Sequence, residues 1–407
     1  MDRGCWIVVA VLVALTSGCR IGPTMLVTSR SEYNRALAGS NEEQLLLNIV
    51  RLRYLESPLF LDVGTVSAQF TLEQAADLSS RYSSDQMTDA SLLGFGSRLA
   101  YEERPTITYS PLQGDEYAKR LMSPLMLDAL MLLFYSGWRV DHILRLTVQQ
   151  INNVENAVRA AGPTPSTMPE YKDFADLVDA LERLQRAGLL ELGYESRQEE
   201  VLDILPAEQV TLADVIAADA EQYRLRLIPG TNAYALVKRS KVPVVRIASA
   251  KSIAGESGGV FARILGVTPG LEQYDLKEAF SARGEGDARY NELAMGMRSL
   301  MGILFYLSQG VEVPQSHVER GLVTVTRDEE GNVFDWTAVT GDLLRIHSAP
   351  RRPDNAATAV RYRDHWFYIA EDDLESRETM VLLLQLFAFQ AGGGQVHAPV
   401  LTLPLGN

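Results

Sequence analysis

Ser257, set in Gly255-Glu256-Ser257-Gly258-Gly259 between Lys251 and Arg263, has neighbours that could support nucleophilic chemistry. A serine hydroxyl attacks only when a histidine takes its proton and an acid orients that histidine. One histidine precedes it, His142, inside the helix-like stretch Asp141-His142-Ile143-Leu144-Arg145. The amides of a glycine-rich turn beside two cations would also suit a small anion nest. His317, His347, His365 and His397 fall singly, without the i, i+4 spacing of a helical metal pair and with no thiol beside them. Glu371-Asp372-Asp373 offers hard oxygen ligands, but capping of a following helix accounts for it as well. No glycine loop ends in the Lys-Ser/Thr of a phosphate cradle, and no Gly-x-Gly-x-x-Gly follows a strand. Met295, Met297 and Met301, at helical spacing, suit core filling. The expectation is that no cofactor and no metal is bound.

Gly255 to Gly259 resembles the nucleophile segment of chymotrypsin-like serine proteases. That family surrounds its histidine with small residues and cysteine and is all-β, neither of which is found here. The segment is therefore expected to be a glycine-rich turn. An envelope hydrolase with a scattered site, Ser257 first among its candidates, remains an alternative reading.

A second chemical residue is Cys19, at the end of Leu15-Thr16-Ser17-Gly18-Cys19. Asp2 and Arg3 precede an apolar run from Trp6 to Leu15 that is too short to cross a bilayer, followed by the small pair Ser17 and Gly18. This resembles the signal of bacterial lipoprotein precursors, in which a Leu-small-small-Cys box is diacylated on the cysteine sulfur and cut just before it. Leu15 stands one place further upstream than is usual. The resemblance covers about the first twenty residues and implies attachment through Cys19 to the periplasmic face of the outer membrane, with Arg20 in place of a retention Asp. Of the two cysteines, Cys5 would leave with the signal, so the mature chain would form no intrachain disulfide.

The formal net charge of −14 does not attract nucleic acid or anionic headgroups, which leaves covalent lipid as the attachment device. Charge is nonetheless segregated. Between Glu191 and Glu221 nine acidic residues face one base, Arg197; between Arg224 and Arg263 eight bases face one acid, Glu256. Two solvated faces that partly neutralise each other are the simpler reading. The sharper one is a basic face, with Arg224, Arg226, Lys238, Arg239 and Lys241, that takes an anionic glycan, lipid or protein partner. Arg53, flanked by Arg51, falls inside the stripe Leu45, Leu46, Ile49 and Leu52, where it would hold either an anionic ligand or a core-edge salt bridge.

The elements that would carry these residues alternate between helical and strand periods, which predicts an α+β fold of two to three domains with short antiparallel sheets and packed helices. The expected divisions are a signal at 1–18, a tether at 19–40, α+β domains at 41–160 and 249–407, and a middle region at 167–248. Asn41 opens a predicted helix to Glu56. Leu59 to Phe70, Ser97 to Tyr101 and Thr106 to Tyr109 read as strands around a loop at Ser79 to Gly96. Helices are expected over 115–135 and 141–158, then one through Phe174, Leu177, Val178, Leu181 and Leu184 that Gly188 stops. A helix from Asn291 to Gln309 should precede a hairpin around Asp328 to Asn332 and strands flanking Arg363-Asp364. The last helix, Leu374 to Gln390, is apolar nearly all round and is read as core or as a docking element. The function expected is that of a lipid-anchored envelope protein acting by interaction with an envelope partner.

Overall fold

The computed structural model describes residues 21–81, 92–163, 167–221, 223–248, 253–278 and 291–391. The signal-like segment with Cys19, together with Lys251 and His397, lies outside them. The fold is α+β. The described residues divide into two compact units, a small one at Leu59–Tyr117 and a large one formed by residues 21–58 and 118–391.

Helix α1 (Ile21–Arg53) runs through the expected tether and through Asn41 without a break. Its last turns bury Leu45, Leu46, Ile49, Val50 and Leu52 in the large unit. The helix ends where Leu55 takes φ +60°. Arg53 is buried, and among the described residues no carboxylate pairs with it; its Nη1 donates to the Thr324 carbonyl at 2.8 Å. The salt bridge expected there is replaced by a backbone oxygen, and burial lowers the Arg53 pKa to about 10.

The small unit is a ribbon of two strands, β1 (Leu61–Arg81) and β2 (Leu92–Pro111). They pair antiparallel from Leu61↔Pro111 to Arg81↔Leu92, with one irregularity between Val63 and Thr65. No third strand joins them among the described residues. Residues 79–81 and 92–96, expected in a loop, are therefore part of the ladder.

The two long helices expected next are broken into α2 (Asp115–Met122), α3 (Leu127–Tyr135) and α4 (Val140–Thr147). Pro124 cannot continue a helix, and Gly137 takes φ +89°. Past Thr147 the chain turns to strand as β3 (Val148–Ile151) and β4 (Val154–Glu155), where β-branched residues suit the pleat. Helix α5 (Lys172–Arg186) is as its period predicts, with Phe174, Leu177, Val178, Leu181 and Leu184 buried and Gly188 at φ +68° beyond it.

Strand β5 (Leu190–Pro206) then pairs antiparallel with β7 (Ala233–Ile247), from Leu190↔Ile247 to Pro206↔Ala233. Between them lie α6 (Leu212–Ala220), opened by a reciprocal Thr211–Asp214 capping box, and β6 (Tyr223–Leu227). Helix α7 (Ile253–Leu265) includes the whole of Gly255 to Gly259, so the expected glycine-rich turn is helical instead. Strands β8 (Gln273–Glu278) and β9 (Glu292–Met297) are parallel neighbours. The seven-stranded sheet runs β4-β3-β9-β8-β7-β5, with β6 on β7. It takes strands from all three stretches that the sequence reading separates at 160–167 and 248–249.

Of the helix expected from Asn291 to Gln309, only α8 (Leu300–Gln309) forms; Ser299 Oγ caps it by accepting from Gly302 N at 3.0 Å. Helices α9 (Gln315–Glu319) and α10 (Thr337–Thr340) flank a single antiparallel bridge, Arg327↔Val333, at the expected hairpin. A three-stranded antiparallel sheet follows, β10 (His347–Ala349), β11 (Ala356–Tyr362) and β12 (His365–Ala370), with Arg363-Asp364 as its turn. Asp373 caps α11 (Leu374–Ala391) by accepting from Ser376 N at 3.1 Å. One side of α11 is core, with Met380, Leu382, Leu383 and Leu386 buried, while Leu374, Val381 and Phe389 stay exposed.

Candidate functional site

The acidic and basic blocks are brought together. Glu191 lies opposite Arg246, and Glu199 opposite Lys238, across the β5–β7 ladder. Arg246 Nη1 is 3.7 Å from Glu191. Arg197, the one base of the acidic block, holds Glu195 at 2.6 Å and forks onto the buried Asp275 of β8. The register also sets Lys238 apart from the other predicted cations. Arg224 and Arg226 lie opposite Val237 and Ala235, on the side of β7 whose alternate residues are buried. Lys238 is one residue along and therefore on the other side, opposite Tyr223, with Nζ 5.6 Å from that ring. Lys241 is exposed opposite Ser196, and Arg239 pairs with Gln198. By the same alternation Lys241 shares the side of Arg224 and Arg226, and Lys238 stands on the other.

Ser257 is buried on α7, where its Oγ accepts from Arg183 Nε at 3.4 Å. Among the described residues no histidine or carboxylate hydrogen-bonds to it. Its neighbouring glycines are in helical backbone, whose amides are turned along the helix axis rather than into an anion nest.

The densest charged constellation is one that local spacing does not reveal. Arg139, immediately before α4, directs one guanidinium at carboxylates from three helices. It grips Asp141 of α4 through Nε at 3.1 Å and Nη2 at 2.6 Å. It reaches Glu182 of α5 at 3.2 Å and both oxygens of Glu375 of α11 at 3.2 Å. Arg186 shares Glu182 at 2.5 Å. Burial by itself would raise the Asp141 pKa, but the hydrogen bonds and charge of Arg139, with His142 alongside, outweigh it and hold the group at about 2. Arg139 is likewise held in its charged form, since its three carboxylate partners outweigh its partial burial.

His142 lies beneath this hub, 1% exposed. Its Nε2 is 3.1 Å from Glu375 and its Nδ1 3.5 Å from Asp141, yet neither nitrogen makes an aligned hydrogen bond. Glu378, one turn along α11, completes a triad in which a histidine nitrogen and two carboxylate oxygens lie within 4.8 Å of one another. Such an N/O donor set could hold a divalent cation. The cation would have to share Glu375 with Arg139, whose guanidinium already lies against both of its oxygens. As folded, the hub is an ionic clasp of three helices.

Both ends of α4 are fixed by side chains. Gln185 of α5 accepts from Val140 N at 2.8 Å and donates to Trp138 O at 3.1 Å. At the other end Arg298 is 1% exposed and donates to the carbonyls of Arg145 at 2.9 Å, Val148 at 2.8 Å and Asn156. Its guanidinium carbon lies 4.0 Å from the Tyr306 ring centroid. Burial without a carboxylate lowers its pKa to about 10. The cation suits the negative end of the α4 dipole.

Compared with protein-family models, with curated proteins and with solved structures, the chain matches none.

Proposed function

We propose that this protein is held by lipid on Cys19 at the periplasmic face of the outer membrane and works there by interaction, as a scaffold or accessory of an envelope assembly. The box Leu15 to Cys19 supports the anchor, and no helix among the described residues is long and apolar enough to cross a membrane. The observation that carries the interaction reading is the β1–β2 ribbon. It has twenty register pairs and no third strand among the described residues. A two-stranded hairpin is marginal in water by itself, and each outer edge offers a row of backbone donors and acceptors to another chain.

The test is fractionation of cells expressing the full chain. Cys19 should carry acyl groups by mass spectrometry, and Cys19→Ala should move the protein from the outer membrane into the soluble periplasmic fraction. An alanine form that stays in the membrane overturns the anchor. Turnover of any envelope substrate that is abolished by one side-chain change overturns the non-enzymatic reading.

A further inference from the structure

A cavity of about 400 Å³ opens on the large unit between the end of β4 and the turn at Arg327 to Gly331. Small-molecule sites have volumes of about 300–1,000 Å³. The wall beyond β4 is firmly held. Asn156 Nδ2 donates to the carbonyls of Val148 at 2.7 Å and Arg145 at 2.9 Å, and the Asn156 carbonyl accepts from the buried Arg298. Ala157 follows at φ +48°, buried, and its N donates to the Glu170 carbonyl at 2.8 Å. An alanine is strained in that left-handed region, and such strain persists where the surroundings over-determine the backbone. The chain leaves it as a 3-10 turn, Val158–Ala161, from which Val158 and Arg159 line the cavity.

The facing wall is a closed turn. Arg327 Nη1 donates to the Gly331 carbonyl at 2.7 Å, and Asp328 accepts from Asn332 N at 2.7 Å and Nδ2 at 3.1 Å. Arg159 and Arg327 thus share one cavity with the carboxylates of Glu155, Glu170, Asp328 and Glu329. Yet the two signs do not pair. Arg159 spends Nη1 on Thr167 Oγ1 at 2.6 Å, Arg327 spends its own on the turn, and among the described residues neither is joined to a carboxylate. Each guanidinium has five N–H donors, so most remain for a ligand. The carboxylates of Glu155, Glu170 and Glu329 likewise make no hydrogen bond or ion pair among the described residues.

Unpaired charges of both signs around one cavity suit a ligand that carries both, since each would gain a charge-assisted hydrogen bond. Four carboxylates against two guanidiniums favour a ligand with more ammonium than carboxylate. We propose that this cavity binds a short peptide that has a free carboxylate and two ammonium groups. The carboxylate lies on Arg159 and Arg327, the ammonium groups turn to Glu155, Glu170 and Glu329, and a lysine stem covers Val158 and Met168. The site stands apart from the lipid anchor and from the ribbon.

Calorimetric titration of the acylated full chain in mild detergent with lysyl-alanine tests it. The wild type should bind the dipeptide saturably, with a Kd of about 1 mM or below. Arg159→Gln and Arg327→Gln should each weaken it at least tenfold, as should Glu155→Gln combined with Glu170→Gln. These side chains are exposed or half-buried, and the thermal transition of the large unit checks that each variant is folded. Lysyl-alaninamide, which lacks the carboxylate, should bind the wild type at least tenfold more weakly, and Arg327→Gln should bind dipeptide and amide alike. Absence of saturable heat from the wild type overturns the site. So does binding that the folded variants leave unchanged. Tighter binding of glutamyl-alanine than of lysyl-alanine overturns the assignment of ligand charge.

Discussion

Two long antiparallel ladders, β5–β7 and β1–β2, share a backbone pattern and differ in what surrounds them. β7 pairs with β5 along one edge and with β8 and β6 along the other, and its alternate residues Ala233, Ala235, Val237 and Val245 are buried. β1–β2 has no such third strand among the described residues. In the first ladder acids and bases sit across from one another, as Glu191↔Arg246 and Glu199↔Lys238 do. The contrast teaches that ladder length says nothing of setting. Setting is read from which side carries apolar residues and from what satisfies the outer edges.

The strongest way to break the contrast is to place the same charge in each ladder's sheet. Leu276 of β8 is 2% exposed in the interior of the seven-stranded sheet. Leu276→Asp should cost more than about 4 kcal/mol and unfold the large unit, as a buried unpaired carboxylate does. Leu72→Asp in the ribbon should leave the urea midpoint of the large unit unchanged. Equal loss from both would mean that the ribbon is itself part of that core.

A second substitution sharpens how the covered sheet is joined to its helices. Arg298 closes the seam of α4, β3 and β9 with donors alone. Arg298→Leu keeps the volume near but leaves the carbonyls of Arg145, Val148 and Asn156 without these bonds. Unsatisfied buried acceptors of this kind cost about 1–3 kcal/mol, so a loss near 3 kcal/mol is expected by chemical denaturation. A loss below about 1 kcal/mol would show that water replaces the guanidinium.

The third prediction uses pH. Asp141 has its pKa held at about 2, below its unfolded value of 3.8. A depressed acid adds stability that is complete above the unfolded pKa and disappears as pH falls through the folded one. The large unit should therefore lose about 2 kcal/mol between about pH 5 and 2, and Asp141→Asn should remove that dependence together with the stability at pH 7. His317 acts earlier in the same direction. Burial, aided by the neighbouring His365 and Arg320, lowers its pKa, so the unfolded chain binds more protons as pH drops below about 6.5. Thermal melts of the wild type and of Asp141→Asn across pH 2 to 7 measure the two windows, the Asp141 window being absent from the variant.

What the sequence made legible follows from the range of each signal. The α+β class and helix α5 came from periods that operate within a few residues, and Gly188 stops α5 as its position predicts. Leu293, Met295 and Met297 alternate along β9, but they also fit a helical stripe when joined to Leu300, so a strand was taken into the following helix. The Ser- and Gly-rich residues at 79–81 and 92–96 have loop composition, yet the antiparallel ladder runs on through them. Gly255 to Gly259 reads as a turn by propensity, and tertiary packing of Phe261 and Leu265 overrides it. The hub around Arg139 was out of reach. Glu182 is 43 residues from Arg139 and Glu375 is 236, so no local spacing joins them. An arginine just before a helix with Asp141 and His142 in its first turn is the local signal of the hub.

The smallest expected effect lies at the rim of that hub and separates a clasp from a cation site. Glu375 is half exposed and shares Arg139 with two better-buried carboxylates. As a clasp, Glu375→Gln should cost below about 1 kcal/mol, because Arg139 keeps Asp141 and Glu182 and an exposed ion pair contributes little. The loss should also fade in high salt. A cation site behaves otherwise. Zinc ion added to the wild type would raise the melting temperature, and Glu375→Gln, His142→Ala and Glu378→Gln would each remove that rise. With Arg139 seated on both Glu375 oxygens, the wild type should show no rise, and Arg139→Gln should be the variant in which zinc first stabilises the fold. A rise already present in the wild type would mean that the guanidinium yields Glu375 to the metal, and would turn the clasp of the large unit into a ligand site that the ribbon does not share.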